Sequence, residues 1–149
     1  MICTFFGHKD SPYILKGELK KLILHLIDNR GVKNFYVGNN GNFDFLVQVV
    51  LKEILSDRDD IHFSIVLSFL GEKALSNEQK HTVFPEGLEF SLPRFAISKR
   101  NEWMLRQADF AVVYVNHHFS NAYKWLEKAT AKGIEVINLS ETYKKEPSL

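Results

Sequence analysis

Two short stretches of the chain have residue types and spacing that suit the binding of an anionic small molecule. The first is the turn Gly38-Asn39-Asn40-Gly41-Asn42, which follows an apolar run and precedes an apolar helical pattern. Glycine and asparagine tolerate the positive φ angles of a tight turn. A helix start offers partial positive charge and unpaired N–H groups, so a glycine turn there can admit a phosphate. A plain strand-to-helix turn, with Asn42 as cap and Asp44 complementing the dipole, fits the spacing equally.

The second stretch is RFAISKRNEWM, from Arg94 to Met104. Helical spacing places Asn101 on an apolar face that we predict to be buried and that comprises Ile97, Met104, Leu105 and Ala108. A buried amide must find hydrogen-bond partners. Arg100 lies one position round the helix, and its planar fork suits phosphate or carboxylate. The alternatives are that Asn101 bonds nearby backbone and that Arg100 makes a surface ion pair.

Histidines form the remaining candidate chemistry. His8 follows Gly7 at the end of the first apolar run, where it either faces a ligand crevice or lies on a partly exposed loop. His117 and His118 are adjacent, but no cysteine or paired carboxylate joins them at metal-ligand spacing, so we expect no metal. No nucleophile elbow is present, and no motif predicts a cofactor.

Composition describes an ordinary water-soluble domain. The chain has 149 residues, is 45% hydrophobic and carries a net charge of +1, which does not favour a nucleic-acid or membrane surface. The single cysteine, Cys3, lies in an apolar run and is expected to be a buried thiol. With no signal-like segment and no run long enough to span a membrane, we expect one cytoplasmic domain over residues 1–149.

The elements that position these residues alternate along the chain. Apolar runs predict five strands at residues 2–6, 34–37, 61–69, 110–115 and 134–139. Amphipathic stripes predict helices at about 15–27, opened by Ser11 and Pro12, and at 43–54, 96–108 and 122–132. Residues 71–90 are expected to be an irregular excursion, and the tail from Ser140 to be frayed or a short turn.

Strands that are apolar throughout and alternate with amphipathic helices predict an α/β fold, a doubly wound Rossmann-like sheet of mainly parallel strands. In such a sheet the strand-to-helix loops meet at the carboxyl edge, where ligands bind. The polar turns described above would therefore converge at one edge.

In order, TFFGHKD, GVKNFYVGNNGNFD, RFAISKRNEWM, AVVYV and KGIEVINL resemble the SLOG superfamily, and most closely its small YpsA-like bacterial and phage proteins. This Rossmann-like group also includes the DNA-processing protein A family and the Lonely Guy phosphoribohydrolases. The resemblance implies a pocket for a nucleotide or nucleotide-derived ligand. The residues it implies are Gly7, His8, Gly38, Asn39, Asn40, Gly41, Asp44, Arg94, Arg100, Asn101, Ser120 and Asn121. Ser120-Asn121 replaces the Gly-Gly that is common in such relatives.

The leading hypothesis is a sensor, carrier or sequestering protein for a nucleotide-like molecule. The alternative is an N-glycosidase, because Arg100 to Met104 is similar to the R-K-x-x-M segment of the Lonely Guy enzymes and Glu127 falls in register with their glutamate. That glutamate ends the segment P-G-G-x-G-T-x-x-E of those enzymes, and the Pro, Gly and Thr residues of the segment are absent here. Glu127 is otherwise a solvated residue that pairs with Lys124 or Lys128.

Two further expectations concern partners, and a third concerns the excursion. Single-stranded nucleic-acid binding through the rings of Tyr13, Tyr123 and Trp125 is a third hypothesis that the near-neutral charge does not favour. The resemblance implies a homo-oligomer, a dimer or larger. We also expect the 71–90 excursion to close over the pocket and to stack Phe84 or Phe90 on a base.

Overall fold

The structure is a computed structural model that describes residues 1–69 and 81–144. Six strands are present in it: β1 (Ile2–Gly7), β2 (Asn34–Val37), β3 (His62–Val66), β4 (Thr82–Val83), β5 (Phe110–Tyr114) and β6 (Glu135–Asn138). The α-helices are α1 (Lys16–Arg30), α2 (Asn42–Asp57), α3 (Pro93–Gln107), α4 (Asn121–Lys132) and α5 (Leu139–Lys144). Short 3-10 helices occupy Tyr13–Leu15 and Leu88–Phe90.

All six strands form one parallel sheet in the order β4-β3-β2-β1-β5-β6. The chain starts at the centre, builds outward through β2 and β3, and then returns to add β5 on the other side of β1. The winding therefore reverses between β1 and β5. The predicted Rossmann-like, doubly wound fold is confirmed, and in folds of this kind ligands bind at the carboxyl edge beside such a reversal.

Alternate residues of β5 supply the two sides of the core. Phe110, Val112 and Tyr114 pack in the cluster that contains the buried residues of α1 and α2. Ala111 and Val113 pack in the cluster that contains those of α3 and α4. A strand buried on both faces has no polar side to show, which is why its sequence is apolar throughout.

Glycines end two of the helices as the sequence predicts. Gly31 after α1 has a φ of 71° and Gly133 after α4 has a φ of 84°, which is the left-handed conformation of a helix C-cap. The start of α1 differs from the prediction. Ser11 does not open it, because its hydroxyl donates to the His8 carbonyl at 2.6 Å, and α1 begins only after the 3-10 turn.

Three further predictions are corrected. The excursion contains an additional strand, β4, which pairs with Ile65 and Val66 of β3, and the 3-10 helix Leu88–Phe90; its residues 71–80 lie outside the described residues. Ile97, predicted to be buried, is 42% exposed, since α3 is rotated so that it presents Ala96, Met104 and Leu105 to the core. The tail forms α5 as far as Lys144.

No helix among residues 1–69 and 81–144 combines the length and the apolar character that crossing a bilayer would need.

Candidate functional site

A cleft of about 650 Å³ opens beside the carboxyl ends of β1 and β5, where the winding reverses. Its floor is the end of β1, and its sides are the start of α2, one face of α3 and the start of α4. Residues from four separate parts of the sequence thus meet around one space. Nine of the residues expected to form the site line this cleft: Gly7, His8, Asn40, Asp44, Arg94, Arg100, Asn101, Ser120 and Asn121.

Gly38, Asn39 and Gly41 were also expected to bind ligand, but they are not among the lining residues. They lie in the turn between β2 and α2, behind Asn40 and Asp44, which line the cleft. The Gln48 side chain of α2 donates to the Gly38 carbonyl at 3.0 Å and to Asn39 Oδ1 at 3.3 Å. Because Gln48 is only 1% exposed, these bonds fix the turn from within the core.

Gly41 joins this turn to the loop that follows β1. Its φ is 99°, and a Cβ atom there would lie 2.8 Å from Lys9 Cα, so both conformation and space require glycine. The next residue, Asn42, donates its N–H to the Lys9 carbonyl at 2.8 Å. The interpretation of Asn42 as a side-chain cap is wrong: Asn42 is the first residue of α2, and the cap position is Gly41, which has no side chain.

Arg100 is buried, with 2% of its surface exposed. Its Nε donates to Asn101 Oδ1 at 3.2 Å, and its Nη1 donates to the Val66 carbonyl, at the end of β3, at 3.4 Å. The alternative of a surface ion pair is therefore excluded. The guanidinium connects α3 to the sheet edge, while part of the residue still borders the cleft.

The Gly38 turn, Asp44 and Arg100 meet at one point. A Cβ atom on Gly38 would lie 2.7 Å from Asp44 Oδ2 and 3.0 Å from an Arg100 Nη atom, so the two charged groups are separated by no more than the sum of these distances. Asp44 Oδ2 also accepts the Asn40 N–H at 2.9 Å. A buried carboxylate close to a buried guanidinium keeps both charges tolerable in the interior. Glycine at 38 leaves the space that this arrangement needs.

His8 lies at the end of β1 and is 4% exposed. Its Nε2 accepts the N–H of Asn116 at 3.0 Å. Its ring stacks on that of His117, with centroids 4.2 Å apart and planes 3° apart, and meets Tyr114 edge-on. Burial, followed by the positive charge that His117 can carry, lowers the pKa of His8 from its usual value. Both effects favour the neutral imidazole.

The loop from Asn116 to Ser120 is held mainly by side-chain nitrogens and oxygens. His117 Nδ1 accepts the N–H of Phe119 at 3.2 Å, and Ser120 caps α4 by accepting the Tyr123 N–H at 3.3 Å. His117 and Phe119 are exposed, Phe119 to 95%. In the described part of the chain, no three histidine, cysteine or acidic side chains are grouped as metal ligands would be.

The polypeptide leading into this loop is fixed from the other side by Asn138 and Ser140. The Asn138 side chain accepts the Val115 N–H at 3.1 Å and donates to the Val115 carbonyl at 3.0 Å. Ser140 Oγ donates to the same carbonyl at 2.7 Å. Asn138 thereby extends the pairing of β6 with β5 by one residue, immediately before the residue whose N–H meets His8.

The charge around the cleft is unlike that of the whole chain. Four cationic side chains line it against two carboxylates, although the net charge of the protein is only +1. The cationic residues are Lys9, Arg94, Arg100 and Lys124, and the carboxylates belong to Asp10 and Asp44. Fields from one sign of charge are concentrated in clefts with low-dielectric walls, so this excess of cationic side chains favours an anion over a cation in the cleft.

Several lining residues were not predicted from the sequence, among them Lys9, Phe95, Lys124 and Trp125. The Arg94 guanidinium lies 4.9 Å from the centre of the Phe95 ring, and Lys124 Nζ lies 5.3 Å from that of Trp125. Trp125 is 3% exposed, which does not fit its suggested role as a surface ring for nucleic acid. The sequence contains a signal for the burial of Trp125, because Trp125 shares one apolar helical face with Ala122 and Ala129, which are both buried.

Glu127 is exposed on α4 and is not among the residues that line the cleft. In the glycosidase hypothesis Glu127 would stabilise positive charge that develops on the ribose and Arg100 would hold the phosphate, so both residues would have to reach one substrate. The cleft contains Arg100 without Glu127.

The fold is shared with a protein of known structure. DNA processing protein A (DprA) from Streptococcus pneumoniae superposes with a TM-score of 0.67 over 91% of this chain and 49% of that protein, at 13% sequence identity. The chain thus spans about half the length of that structure, and the likeness is one of fold. No family model matches the chain, and no curated protein does.

Proposed function

We propose that this protein binds a nucleotide or nucleotide-derived small molecule in the cleft between β1 and β5, as a sensor, carrier or sequestering protein. The observation that carries the proposal is the convergence of four cationic side chains and several rings on one cleft at the winding reversal. Its volume of about 650 Å³ lies within the range of small-molecule sites. Parallel α/β sheets bind their ligands at this position.

The cationic residues have different accessibility, and this suggests different roles. Arg100 is buried and already donates to Asn101 and Val66, so it borders the ligand without being free to follow it. Lys9, Arg94 and Lys124 are exposed and line the cleft. We infer that the exposed three attract and contact the phosphate, whereas Arg100 keeps the Gly38–Asp44 wall in position.

Rings on two sides of the cleft suit the planar part of such a ligand. Phe95 is 45% exposed on α3, and His117 is exposed on the loop after β5. Both line the cleft. Stacking on an aromatic side chain contributes about 1–3 kcal/mol per base and does not require a particular base.

Isothermal titration calorimetry tests the proposal. We would titrate the protein with AMP, ADP-ribose, NAD, cyclic ADP-ribose isomers and cyclic dinucleotides. We expect binding of at least one of them, with affinity that falls as salt is added, because the anion contacts are exposed to solvent. No heat of binding for any of them at millimolar concentration would refute the proposal.

Two lysines on one helix provide a matched comparison. Lys124 and Lys128 both lie against the Trp125 ring, at 5.3 and 4.9 Å from its centre, but only Lys124 lines the cleft. Lys124→Gln should weaken binding about fivefold, which corresponds to roughly 1 kcal/mol for an exposed charge contact. Lys128→Gln removes the same charge one turn away and should leave affinity unchanged. Equal losses in both variants would indicate a general charge effect and no contact in the cleft.

Two measurements separate this proposal from the other hypotheses. Chromatography for free base after incubation with AMP or NAD tests for a glycosidase, and Glu127→Gln would abolish release if Glu127 took part. A gel shift with single-stranded DNA at two salt concentrations tests the activity that the name of DprA suggests. We expect no free base and no salt-dependent shift.

Self-association is a further proposal. Large apolar side chains at Phe69, Phe90 and Leu92 are more than half exposed, and such residues commonly mark contact surfaces. Light scattering after size exclusion should give the mass of a dimer or larger. A monomer's mass at concentrations near 100 micromolar would contradict it.

A further inference from the structure

The bonding of His8 determines which of its ring nitrogens carries hydrogen. A backbone N–H can only donate, and the N–H of Asn116 points at Nε2 from 3.0 Å. Nε2 must therefore be the acceptor, unprotonated nitrogen. In the neutral ring the hydrogen then sits on Nδ1. Neighbouring atoms thus select one of the two tautomers of His8.

In this tautomer the Nδ1–H group of His8 lacks a hydrogen-bond acceptor within the described part of the chain. His8 Nδ1 is buried and has no hydrogen-bond partner among the described residues, although the side chain as a whole borders the cleft and is 4% exposed. A buried donor without an acceptor costs about 1–3 kcal/mol, and such groups in native proteins are normally satisfied by a partner or a ligand.

We propose that neutral His8 is a specificity-determining residue of the cleft, whose Nδ1–H donates to a hydrogen-bond acceptor of the bound ligand, an oxygen or ring nitrogen. This inference rests on the proposed function and assigns one contact within it. A ligand that presents a donor at this position would be rejected, because two hydrogens would face each other.

The stacked His117 ring takes part by holding the loop that fixes the tautomer. Its own Nδ1 accepts the Phe119 N–H, so the loop needs unprotonated nitrogens at both histidines. Two other titratable groups lie near His8. The negative charge of Asp10, in the adjacent loop, raises the pKa of His8, and Tyr114 lies at the edge of the His8 ring. For this contact His117 is therefore a positioning residue, and the ring nitrogen that meets the ligand belongs to His8.

The tautomer is measured without any ligand. Long-range ¹H–¹⁵N spectra of the labelled protein at pH 8 should show His8 Nδ1 as the protonated nitrogen and Nε2 as the unprotonated one. The opposite pattern would overturn the inference, whatever the protein binds.

The contact is measured by calorimetry with ADP-ribose and AMP on three variants. His8→Phe keeps a ring of similar size and removes both nitrogens, so we expect affinity for the bound probe to fall about tenfold, as for loss of one good hydrogen bond. His8→Asn restores an N–H donor at about the position of Nδ1 without the ring, and should recover most of the loss. His62→Phe changes an exposed histidine at the opposite edge of the sheet and should have no effect.

The outcomes separate the two proposals. If neither probe binds the unchanged protein, the proposed function has failed for these ligands and the contact fails with it. Binding that survives His8→Phe overturns this inference alone. Loss in His8→Phe without recovery in His8→Asn would show that the loop, held through Nε2, matters and that the Nδ1 donor does not.

Discussion

The two loops that flank the cleft are built on opposite principles. The turn after β2 is fixed by buried groups. Gln48 donates to the Gly38 carbonyl, Asp44 accepts the Asn40 N–H, and Gly38 lies against the side chains of Asp44 and Arg100. The loop after β5 is anchored at its start by the buried side chains of His8 and Ser140, but from His117 onward it is held close to solvent. His117 Nδ1 accepts the Phe119 N–H, and Phe119 at the tip of the loop is 95% exposed.

This difference indicates which side of the site is rigid and which can adapt. Moving the first turn would break buried bonds between charged groups, which costs several kcal/mol. Moving the second loop breaks hydrogen bonds close to solvent, where water replaces the lost partner. We expect the ligand to be received against a fixed wall on the β2 side and to be enclosed by adjustment on the β5 side.

The largest effect that would break the comparison comes from the fixed wall. Arg100→Met removes the donors to Asn101 and Val66 and leaves Asp44 without a nearby buried cation. The free energy of unfolding should fall by about 3 kcal/mol or more, measured by urea titration. Lys99→Met, at the exposed neighbouring position, should change it by less than about 0.5 kcal/mol. Similar values for both variants would show that the wall is not held by Arg100.

A smaller change tests the space rather than the charge. Gly38→Ala adds one methyl group where the structure leaves 2.7 Å to Asp44 Oδ2 and 2.9 Å to Arg100 Cζ. Neither side chain can move away cheaply, since both are buried, so we expect a loss of about 2 kcal/mol in the same titration. Gly17→Ala is the matched control because nothing lies within 4 Å of the added atom, and it should be neutral or slightly stabilising.

The smallest effect concerns the adaptable loop and depends on pH. The pKa of His8 is lowered in the folded protein, chiefly by burial, so the unfolded chain takes up the proton more readily. Stability is therefore fully present above about pH 6.5, the ordinary histidine value, and declines as the pH falls below it. His8→Phe should lose about 1 kcal/mol at pH 7.5 through the Asn116 bond and should lack this acid decline.

Urea titrations at pH 7.5, 6.5 and 5.5 check this prediction. The gap between the unchanged protein and His8→Phe should narrow as the solution is acidified. Phe119→Ser changes an exposed ring in the loop that His8 holds, and this variant should follow the unchanged protein at every pH. A gap that stays constant would mean that His8 does not titrate differently in the folded state.

Much of the fold could be read from local patterns. β1, β2 and β5 are apolar runs ended by turn residues, and Gly31 and Gly133 mark helix ends, so their signals lie within a few residues. β4 has only two residues, Thr82 and Val83, in a polar stretch, and it is a strand because it pairs with Ile65 and Val66 of the preceding strand, β3, on the other side of residues 70–80. Sequence reasoning has no access to such a partner.

The site residues likewise divide into those that local sequence patterns predict and those that they do not. His8 and Asn40 could be placed in it because strand ends and helix starts fix the carboxyl edge. The buried position of Arg100 could not be foreseen, since it depends on how α3 is rotated, and the same rotation exposes Ile97, which periodicity had placed inside. Glu127 was assigned by register with a motif, and register alone does not say which side of α4 meets the cleft.

The two hydrogen bonds between the Asn138 side chain and the Val115 backbone have a practical consequence for anyone who shortens or fuses this polypeptide. A shortened version that stops before Asn138 would remove the support of the loop that carries His117, even though every cleft residue would still be present. A tag or fusion partner on that side of the domain should therefore be attached after Ser140, because the Ser140 hydroxyl also donates to the Val115 carbonyl.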